Sequence, residues 1–167
     1  MNNQNFIPNC SLVEILITPS GGNTPGVTQF TEQSEFMGRK VVGIQAFCGD
    51  DQTYSYQNTN VQVVDQTQFQ AGFLSIQRVG DNTRGLSEGL YYKNMPLTML
   101  RAAGGGANSY SGNYGSVCWF KPFEFQWNQS KITFPTAVAL AQPRVIPFMF
   151  YYLTKEEYAA YLANVRR

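Results

Sequence analysis

Histidine, the side chain used most often for proton transfer and metal binding near neutral pH, does not occur in this 167-residue sequence. Its absence excludes Ser-His-Asp and Cys-His catalysis and every metal site built on imidazole ligands. Asp50 and Asp51 follow a glycine and could ligate calcium, but adjacent strand residues point apart, and these residue types suit an ordinary turn. Acid–base catalysis would therefore have to rely on other carboxylates.

Glu124 is the carboxylate best placed for a groove, because it lies between Phe123 and Phe125. As the polar alternate of an amphipathic strand, it is instead expected to face solvent or an interface. No second carboxylate can be paired with it from the sequence, so a two-carboxylate mechanism has no support. We expect no enzymatic activity and no cofactor; an enzyme that uses carboxylates alone is the least favoured hypothesis.

Three cysteines, Cys10, Cys48 and Cys118, are odd in number, widely spaced and in no CxxC arrangement. This pattern favours reduced thiols on apolar strands over a disulfide framework or a zinc site. The glycine run Gly104–Gly106 is followed by neither a Lys-Ser or Lys-Thr pair nor a helix pattern, so it does not predict a phosphate cradle. No metal site is expected.

Aromatic side chains are the best candidates for binding. Exposed tyrosines in loops rich in Gly, Ser and Asn give contact area at low entropy cost, and they can stack on sugars. The alternative, which the sequence leaves equally open, is that these tyrosines cover the ends of the fold. Trp119 and Trp127 are possible stacking platforms, although Trp127 continues the Phe123 and Phe125 face and is expected in the core. The candidate loop tyrosines are Tyr54, Tyr56, Tyr110 and Tyr114.

Alternating hydrophobicity indicates an antiparallel sandwich. In 123–128 the three aromatics occupy one face and Glu, Gln and Asn the other, which is typical of a half-buried strand that needs a second layer to cover it. Cys10–Thr18 is apolar on nearly both faces. Val13, Ile15 and Ile17 share one of these faces. Further strands are predicted at Val27–Thr31, Arg39–Cys48, Val61–Val64, Gly72–Val79, Leu90–Tyr92, Leu97–Arg101, Val117–Trp127, Lys131–Phe134 and Val145–Leu153.

Some of these strands have a clear inward face. In Arg39–Cys48 it is expected to comprise Val42, Ile44, Ala46 and Cys48, and in Gly72–Val79 it is expected to include Leu74 and Ile76. Residues 52–60 show no clear period and are expected to form a loop.

One helix is predicted, at the C-terminus, over residues 154–167. Thr154 and Glu157 form a capping box. The face at i, i+3, i+4 and i+7 is apolar and must dock on the parent domain or on a neighbouring subunit. The predicted division is a flexible N-terminal arm (1–9), a β-sandwich domain (10–153) and this helix. The apolar face comprises Tyr158, Tyr161, Leu162 and Val165.

Charge is scarce: charged residues make up 14% of the chain, against about 25% in typical soluble domains, and the net charge is +1. The sequence therefore predicts no electrostatic attraction for nucleic acid or for an anionic membrane. Low self-repulsion favours association. The N-terminus has no signal-peptide pattern and no apolar run is long enough to cross a membrane, so we expect synthesis in a cytosol.

Five segments follow one another in the predicted order of strands: Lys40–Ile44, Phe73–Ile76, Met95–Leu100, Lys131–Phe134 and Phe148–Tyr152. Their order and texture resemble the single jelly-roll structural proteins of icosahedral bacteriophages. The resemblance covers residues 39–153. It implies a mainly β sandwich of about eight strands, arranged as a single jelly roll, with no catalytic residues.

The expected function is that of a non-enzymatic virion structural protein, such as a capsid, penton (vertex) or decoration subunit. Such a subunit works through contacts with its own copies and with other virion proteins, and it would be located in the virion after synthesis in the host cytoplasm. The alternative is a carbohydrate- or receptor-binding module that recognises a host glycan or receptor through its tyrosines.

Overall fold

The structure, a computed structural model, describes residues 8–18, 23–48, 53–56, 59–80, 90–100, 117–140 and 142–165. These ranges form a mainly β sandwich of two antiparallel sheets with a short C-terminal helix, as the sequence predicted. The described elements are β1 (Asn9–Ile17), β2 (Asn23–Gln29), β3 (Lys40–Ala46), β4 (Thr53–Tyr56), β5 (Thr59–Val63), α1 (Gln66–Gln70), β6 (Phe73–Gln77), β7 (Leu90–Pro96), β8 (Cys118–Phe123), β9 (Lys131–Ala139), β10 (Arg144–Leu153) and α2 (Lys155–Val165).

Eight of the ten described strands pair in a nested way. The first strand pairs with the last, β2 with β9, β3 with β8, and β6 with β7, always antiparallel. Folding these pairs over one another gives sheet A, in the order β1-β10-β3-β8, and sheet B, in the order β2-β9-β6-β7. These eight strands match the number that the sequence predicted, whereas the jelly-roll topology stays a prediction.

The two remaining strands, β4 and β5, form a hairpin that extends sheet A. β5 runs parallel to β10, with Val63 opposite Val145, beyond the end of β3. The sequence prediction treated residues 52–60 as a loop, which is wrong for 53–56 and 59–60. Thr and Tyr favour extended pairing, so this polar segment forms a hairpin despite its lack of an apolar period.

The core between the sheets is dominated by phenylalanines. Phe30 lies at its centre: its ring centroid is 5.6 Å from that of Phe125, 5.4 Å from that of Phe148 and 6.3 Å from that of Phe150. The Phe150 centroid in turn lies 5.2 Å from that of Phe125 and 6.3 Å from that of Phe148. Trp127 packs on Phe150 at 4.9 Å. Edge-to-face and tilted ring pairs of this kind add about 0.5–1.5 kcal/mol each beyond the area that they bury.

A β-bulge changes which residues of β3 face the core. The sequence predicted Val42, Ile44 and Ala46 on the inward face, and the last two are fully buried. The register shifts between Val41 and Gly43 against both neighbouring strands, so Val41 is buried and Val42 is only partly covered. The extra residue of a bulge reverses the alternation on one side of it. The prediction for Val42 was therefore wrong.

Two short helical segments differ from the sequence prediction, one in place of a predicted strand and one where no element was predicted. Leu97–Leu100 is a 3₁₀ helix, not a strand, and its period of three buries both leucines completely. Helix α1 was not predicted, although Asp65 and Gln68 form its capping box: the side chain of each residue accepts a hydrogen bond from the backbone N–H of the other. This helix places Phe69 in the core.

Strand ends also differ from the sequence prediction around β8 and β9. β8 ends at Phe123; Phe125 then makes a single bridge with Arg78, and Trp127 begins a 3₁₀ turn. All three aromatics are buried as predicted, without a continuous strand. β9 continues past Pro135 to Ala139, because its pairing with β2 becomes irregular there and tolerates a residue without an N–H.

We predict that Phe150→Ala lowers the free energy of unfolding by about 3–5 kcal/mol, because it leaves a cavity among the core rings. The adjacent Met149→Ala removes a partly covered side chain from the opposite face of β10 and should cost less than half of that. Urea denaturation of both variants measures the difference. Equal losses would contradict the observed facing of β10.

Candidate interaction surface

The outer face of sheet A carries a row of side chains that no part of the core uses. Cys10 of β1 lies opposite Tyr151 of β10, which lies opposite Gly43 of β3, which lies opposite Trp119 of β8. We call these four residues the aromatic row. Because strand side chains alternate, all four point away from the second sheet. The row spans the full width of sheet A.

Trp119 dominates this row. Trp119 is 58% exposed, whereas Tyr92, the other exposed aromatic residue in the described ranges, is 39% exposed. A Cβ on Gly43 would lie 2.7 Å from Cε3 of Trp119, so the indole fits against the sheet only because residue 43 is glycine. The Tyr151 ring, 5.3 Å away, borders the indole, and its hydroxyl donates to Oε1 of the buried Gln45 at 3.2 Å. These contacts hold the indole of Trp119 in place and leave much of its surface exposed to solvent.

Apolar surface continues along the strands from the aromatic row. Leu12 of β1, 40% exposed, lies opposite Met149 of β10, and the next outward residue of β1 is Glu14. At the far end of β10 the same face is covered: Val63 and Val145 are buried there in a second small cluster with Leu16. The open part of the outer face is therefore the half that includes the aromatic row.

Helix α2 begins at the same end of sheet A, directly after β10. The predicted capping box is present: the Thr154 N–H donates to Glu157 Oε2 at 2.7 Å, and the Glu157 N–H donates to Thr154 Oγ1 at 3.2 Å. Asn9 of β1 donates a further bond to Glu157. The backbone hydrogen bond from Thr154, reinforced by the side chains of Asn9 and Thr154, holds the pKa of Glu157 below its usual value.

The sandwich holds α2 through its first turn. Lys155 lies over Gly38, and the Lys40 ammonium lies 5.6 Å from the Tyr158 ring centroid. Tyr158 and Tyr161 stack on each other at 6.2 Å. None of the eleven residues of α2, all of which the structure describes, is buried, and Val165 is 64% exposed. The parent sandwich therefore covers the apolar face of the helix only in part: Tyr158, Tyr161 and Leu162 are partly covered, and Val165 is exposed.

The predicted loop tyrosines do not form one described site. Tyr110 and Tyr114 lie outside the described residues. Tyr54 and Tyr56 lie in strand β4, so the prediction that they occupy a loop was wrong, and their side chains are also outside the description. Trp127 is in the core, as predicted, at 6% exposure. The sequence analysis did not identify Tyr151 as a candidate binding residue. A usable signal was that β1 and β10 are apolar on both faces, which indicates apolar side chains on the outer face as well as in the core.

The structure gives little support for catalysis or metal binding by carboxylates. Glu124 accepts from the Lys40 ammonium at 3.0 Å and borders a cleft of about 90 Å³, well below the roughly 300–1,000 Å³ typical of small-molecule sites. Within the described ranges, no three His, Cys, Asp or Glu side chains group to hold a metal. Asp50 and Asp51 lie outside those ranges.

The three cysteines are free thiols. Cys10 is exposed in the aromatic row, and burial raises the pKa of the Cys118 thiol in β8. Cys48 is partly buried just after β3. In the part of the chain that the structure describes, no helix is long and apolar enough to cross a membrane.

Comparison with known proteins found no match to this chain among family models, curated proteins or solved structures.

Truncation of the two tryptophans should cost very different amounts of folding free energy. Trp127→Ala should lower the free energy of unfolding by about 3–5 kcal/mol, because it empties part of the core. Trp119→Ala should cost the dilute protein about 1 kcal/mol or less, because most of its ring already contacts water. Chemical denaturation measures both losses. Acrylamide quenching of the two single-tryptophan proteins provides a check: a shielded Trp119 in the monomer would contradict the exposure described above.

The helix cap gives a further prediction. Thr154→Ala should destabilise α2 by about 1 kcal/mol, since it removes a cap that satisfies an N-terminal N–H. Because the folded pKa of Glu157 is lowered, its contribution is complete above its unfolded pKa and is lost as the pH falls through the folded value. The hydrogen-exchange protection factors of residues 155–165, which correct for the pH dependence of the intrinsic exchange rate, should therefore fall in acid and in the variant. Thr98→Ala, at an exposed threonine outside the helix, is the control and should leave this exchange unchanged.

Proposed function

We propose that this protein is a non-enzymatic structural subunit that assembles with copies of itself, as the shell proteins of icosahedral bacteriophage virions do. In this proposal it is a capsid, penton or decoration subunit, its partners are its own copies and other virion proteins, and it resides in the virion. Contacts between subunits, and no catalytic group, perform the function.

The observation that carries this proposal is helix α2. An isolated helix of fewer than about 12–15 residues is marginal in water, so eleven residues need packing on another surface to be stable. The parent sandwich contacts its first turn and leaves Tyr161, Leu162 and Val165 without full cover. A neighbouring subunit would supply the missing layer. Of the two docking partners that the sequence left open, this geometry favours the neighbour.

Strand connectivity supports the part of the proposal that concerns the jelly-roll architecture. Nested antiparallel pairs that fold into two four-stranded sheets are what a long hairpin produces when it wraps into a jelly roll. We therefore propose that topology for the eight paired strands, with β4 and β5 as an inserted hairpin. Jelly rolls are one of the standard ways of building viral capsid proteins.

Surface composition supports the part of the proposal that concerns self-association. Trp, Tyr and Met are enriched at protein interfaces and charged residues are depleted in their centres. The open half of the sheet A outer face has this composition, with Trp119, Tyr151, Met149 and Leu12. A monomer would leave this surface in water, whereas an assembly would bury it.

A second candidate is a carbohydrate- or receptor-binding module, and Trp119 is the observation that favours it. An exposed indole that is held against a sheet beside Tyr151 resembles a stacking platform for a sugar ring. Binding of a glycan that disappears in Trp119→Ala, on a protein that remains monomeric, would support this candidate over assembly.

Two adjacent residues of α2 test the proposed function. Leu162→Lys places a charge on the apolar face of the helix and should weaken self-association at least tenfold, because the ammonium would be buried in the contact. Ala163→Lys is the matched control: it adds the same side chain one position further, on an exposed site. Sedimentation velocity and negative-stain electron microscopy measure the assembly.

Wild-type protein that stays monomeric at high concentration, and that is missing from virus particles by mass spectrometry, would contradict the proposed function. Equal assembly of both lysine variants would contradict the docking of α2 on a neighbour. Far-UV circular dichroism of the variants checks that α2 itself still forms in each case.

A further inference from the structure

We infer that subunits associate head to tail, with the outer face of sheet A of one copy seated on the outer face of sheet B of the next copy. This inference rests on the proposed function, because it names the surfaces through which the subunits would assemble. Its occupant is a second copy of this chain. The anchor on the sheet A side is the aromatic row with Leu12 and Met149.

The outer face of sheet B also carries a row of four residues, three of which are apolar. Val27 of β2 lies opposite Thr133 of β9, and Thr133 lies opposite Phe73 of β6, which lies opposite Pro96 of β7. Val27 is 57% exposed, and the other three residues of the row are partly covered. Ile132 and Phe134 point the other way, into the core. Each broad side of the sandwich therefore presents apolar side chains that are at least partly exposed.

Charge distinguishes the two faces and selects the pairing. Glu14, on the outer face of sheet A, is the only acidic residue in the ten described strands, and the four strands of sheet B contain lysine but no acid. Lys131 lies on the outer face of sheet B, next along β9 to Thr133. Neither Glu14 nor Lys131 has an ion-pair partner within the described residues.

These charges argue against contacts between two sheet B faces. Such a contact would bring the Lys131 side chains of both copies together with no carboxylate from any strand to neutralise them. A contact between sheet A and sheet B supplies Glu14 for Lys131. Lys121, exposed two residues after Trp119 in β8, adds a cation to sheet A, so charge alone does not oppose a contact between two sheet A faces. The sheet B face, which cannot neutralise itself, therefore has sheet A as its favoured partner, because opposite charges across an interface fix register and suppress the wrong pairing.

The strands set the area available for such a contact. Four strands at about 4.8 Å spacing give a width of about 19 Å, and about four residues in the open half of sheet A, at about 3.3 Å each, give a length of about 13 Å. The sheets alone would thus bury roughly 250 Å² on each partner, or roughly 500 Å² in total, about half of the lower limit of roughly 1,000 Å² for a specific interface. Helix α2, which starts beside the aromatic row, would have to supply the remaining area.

Head-to-tail pairing has a consequence for symmetry. Each copy offers one face and accepts the other, so the contact is heterologous and repeats until a ring closes. Blocking one face in every copy removes all contacts, because each contact needs one face of each kind. Two proteins blocked on opposite faces, when mixed, still have one intact sheet A face and one intact sheet B face between them. They can therefore form a single contact and then stop.

The experiment uses this property of the mixture. Trp119→Lys blocks sheet A, Val27→Lys blocks sheet B, and Met99→Lys, at an exposed methionine in the 3₁₀ turn outside both faces, is the control. Each single face variant should be monomeric at concentrations where wild type and the control assemble. An equimolar mixture of Trp119→Lys and Val27→Lys should give a 1:1 complex by sedimentation and native mass spectrometry, with a dissociation constant within about tenfold of the wild-type contact.

A 1:1 complex in the mixture, without complexes in either variant alone, supports the inference. A mixture that stays monomeric, or assembly lost in Trp119→Lys but kept in Val27→Lys, overturns it; the second result would indicate pairing between identical sheet A faces. Glycan binding lost in Trp119→Lys while assembly persists also overturns it. These outcomes leave self-assembly itself intact, whereas a monomeric wild type removes the proposed function as well.

Folding of the variants is controlled by denaturation. If Trp119→Lys is unfolded, Leu12→Lys, in the same open half of the face, takes its place with the same expected results.

Discussion

Strand β10 is the element on which the whole of sheet A depends. One of its edges pairs with β1 over the full length of that strand, and its other edge pairs first with β5 and then with β3. Its inward side chains, Ile146, Phe148 and Phe150, are fully buried. A strand that satisfies backbone hydrogen bonds on both edges cannot shift its register without moving every neighbour. The positions of Tyr151 on the outer face and of α2 beyond the strand end follow from this constraint.

Alternation predicted the core well where strands are regular. Val13, Ile15 and Ile17 of β1 and Leu74 and Ile76 of β6 are all buried as their spacing predicted. It failed where the backbone departs from a two-residue period. The bulge at Val42 and the 3₁₀ turn at Leu97–Leu100 depend on pairing partners that are distant in sequence, so local pattern could not locate them.

The candidate surface was harder to predict than the core, for a physical reason. Exposure of a tryptophan depends on what lies above it, and both tryptophans occur in similar aromatic surroundings in the sequence. Trp127 is covered because Phe36 and Phe150 pack on it from other elements, whereas Trp119 lies over Gly43 with nothing described above its ring. The capping box of α2 was predictable, because it depends on two residues only three positions apart.

Apolar outer faces carry a cost before assembly, because an unpaired subunit exposes them to any other apolar surface. Two faces of equal character would associate in every combination, and some of those combinations would lead to aggregates that do not close. A few charges change this balance at little cost in buried area. Lys131 opposes contacts of sheet B with itself, and in the contact that we propose between unlike faces Glu14 neutralises it. Specificity of this kind comes from penalising the wrong pairing as much as from stabilising the right one. In a chain with so few charged residues, the sign of each charge on a sheet face therefore has a large influence on which assembly forms.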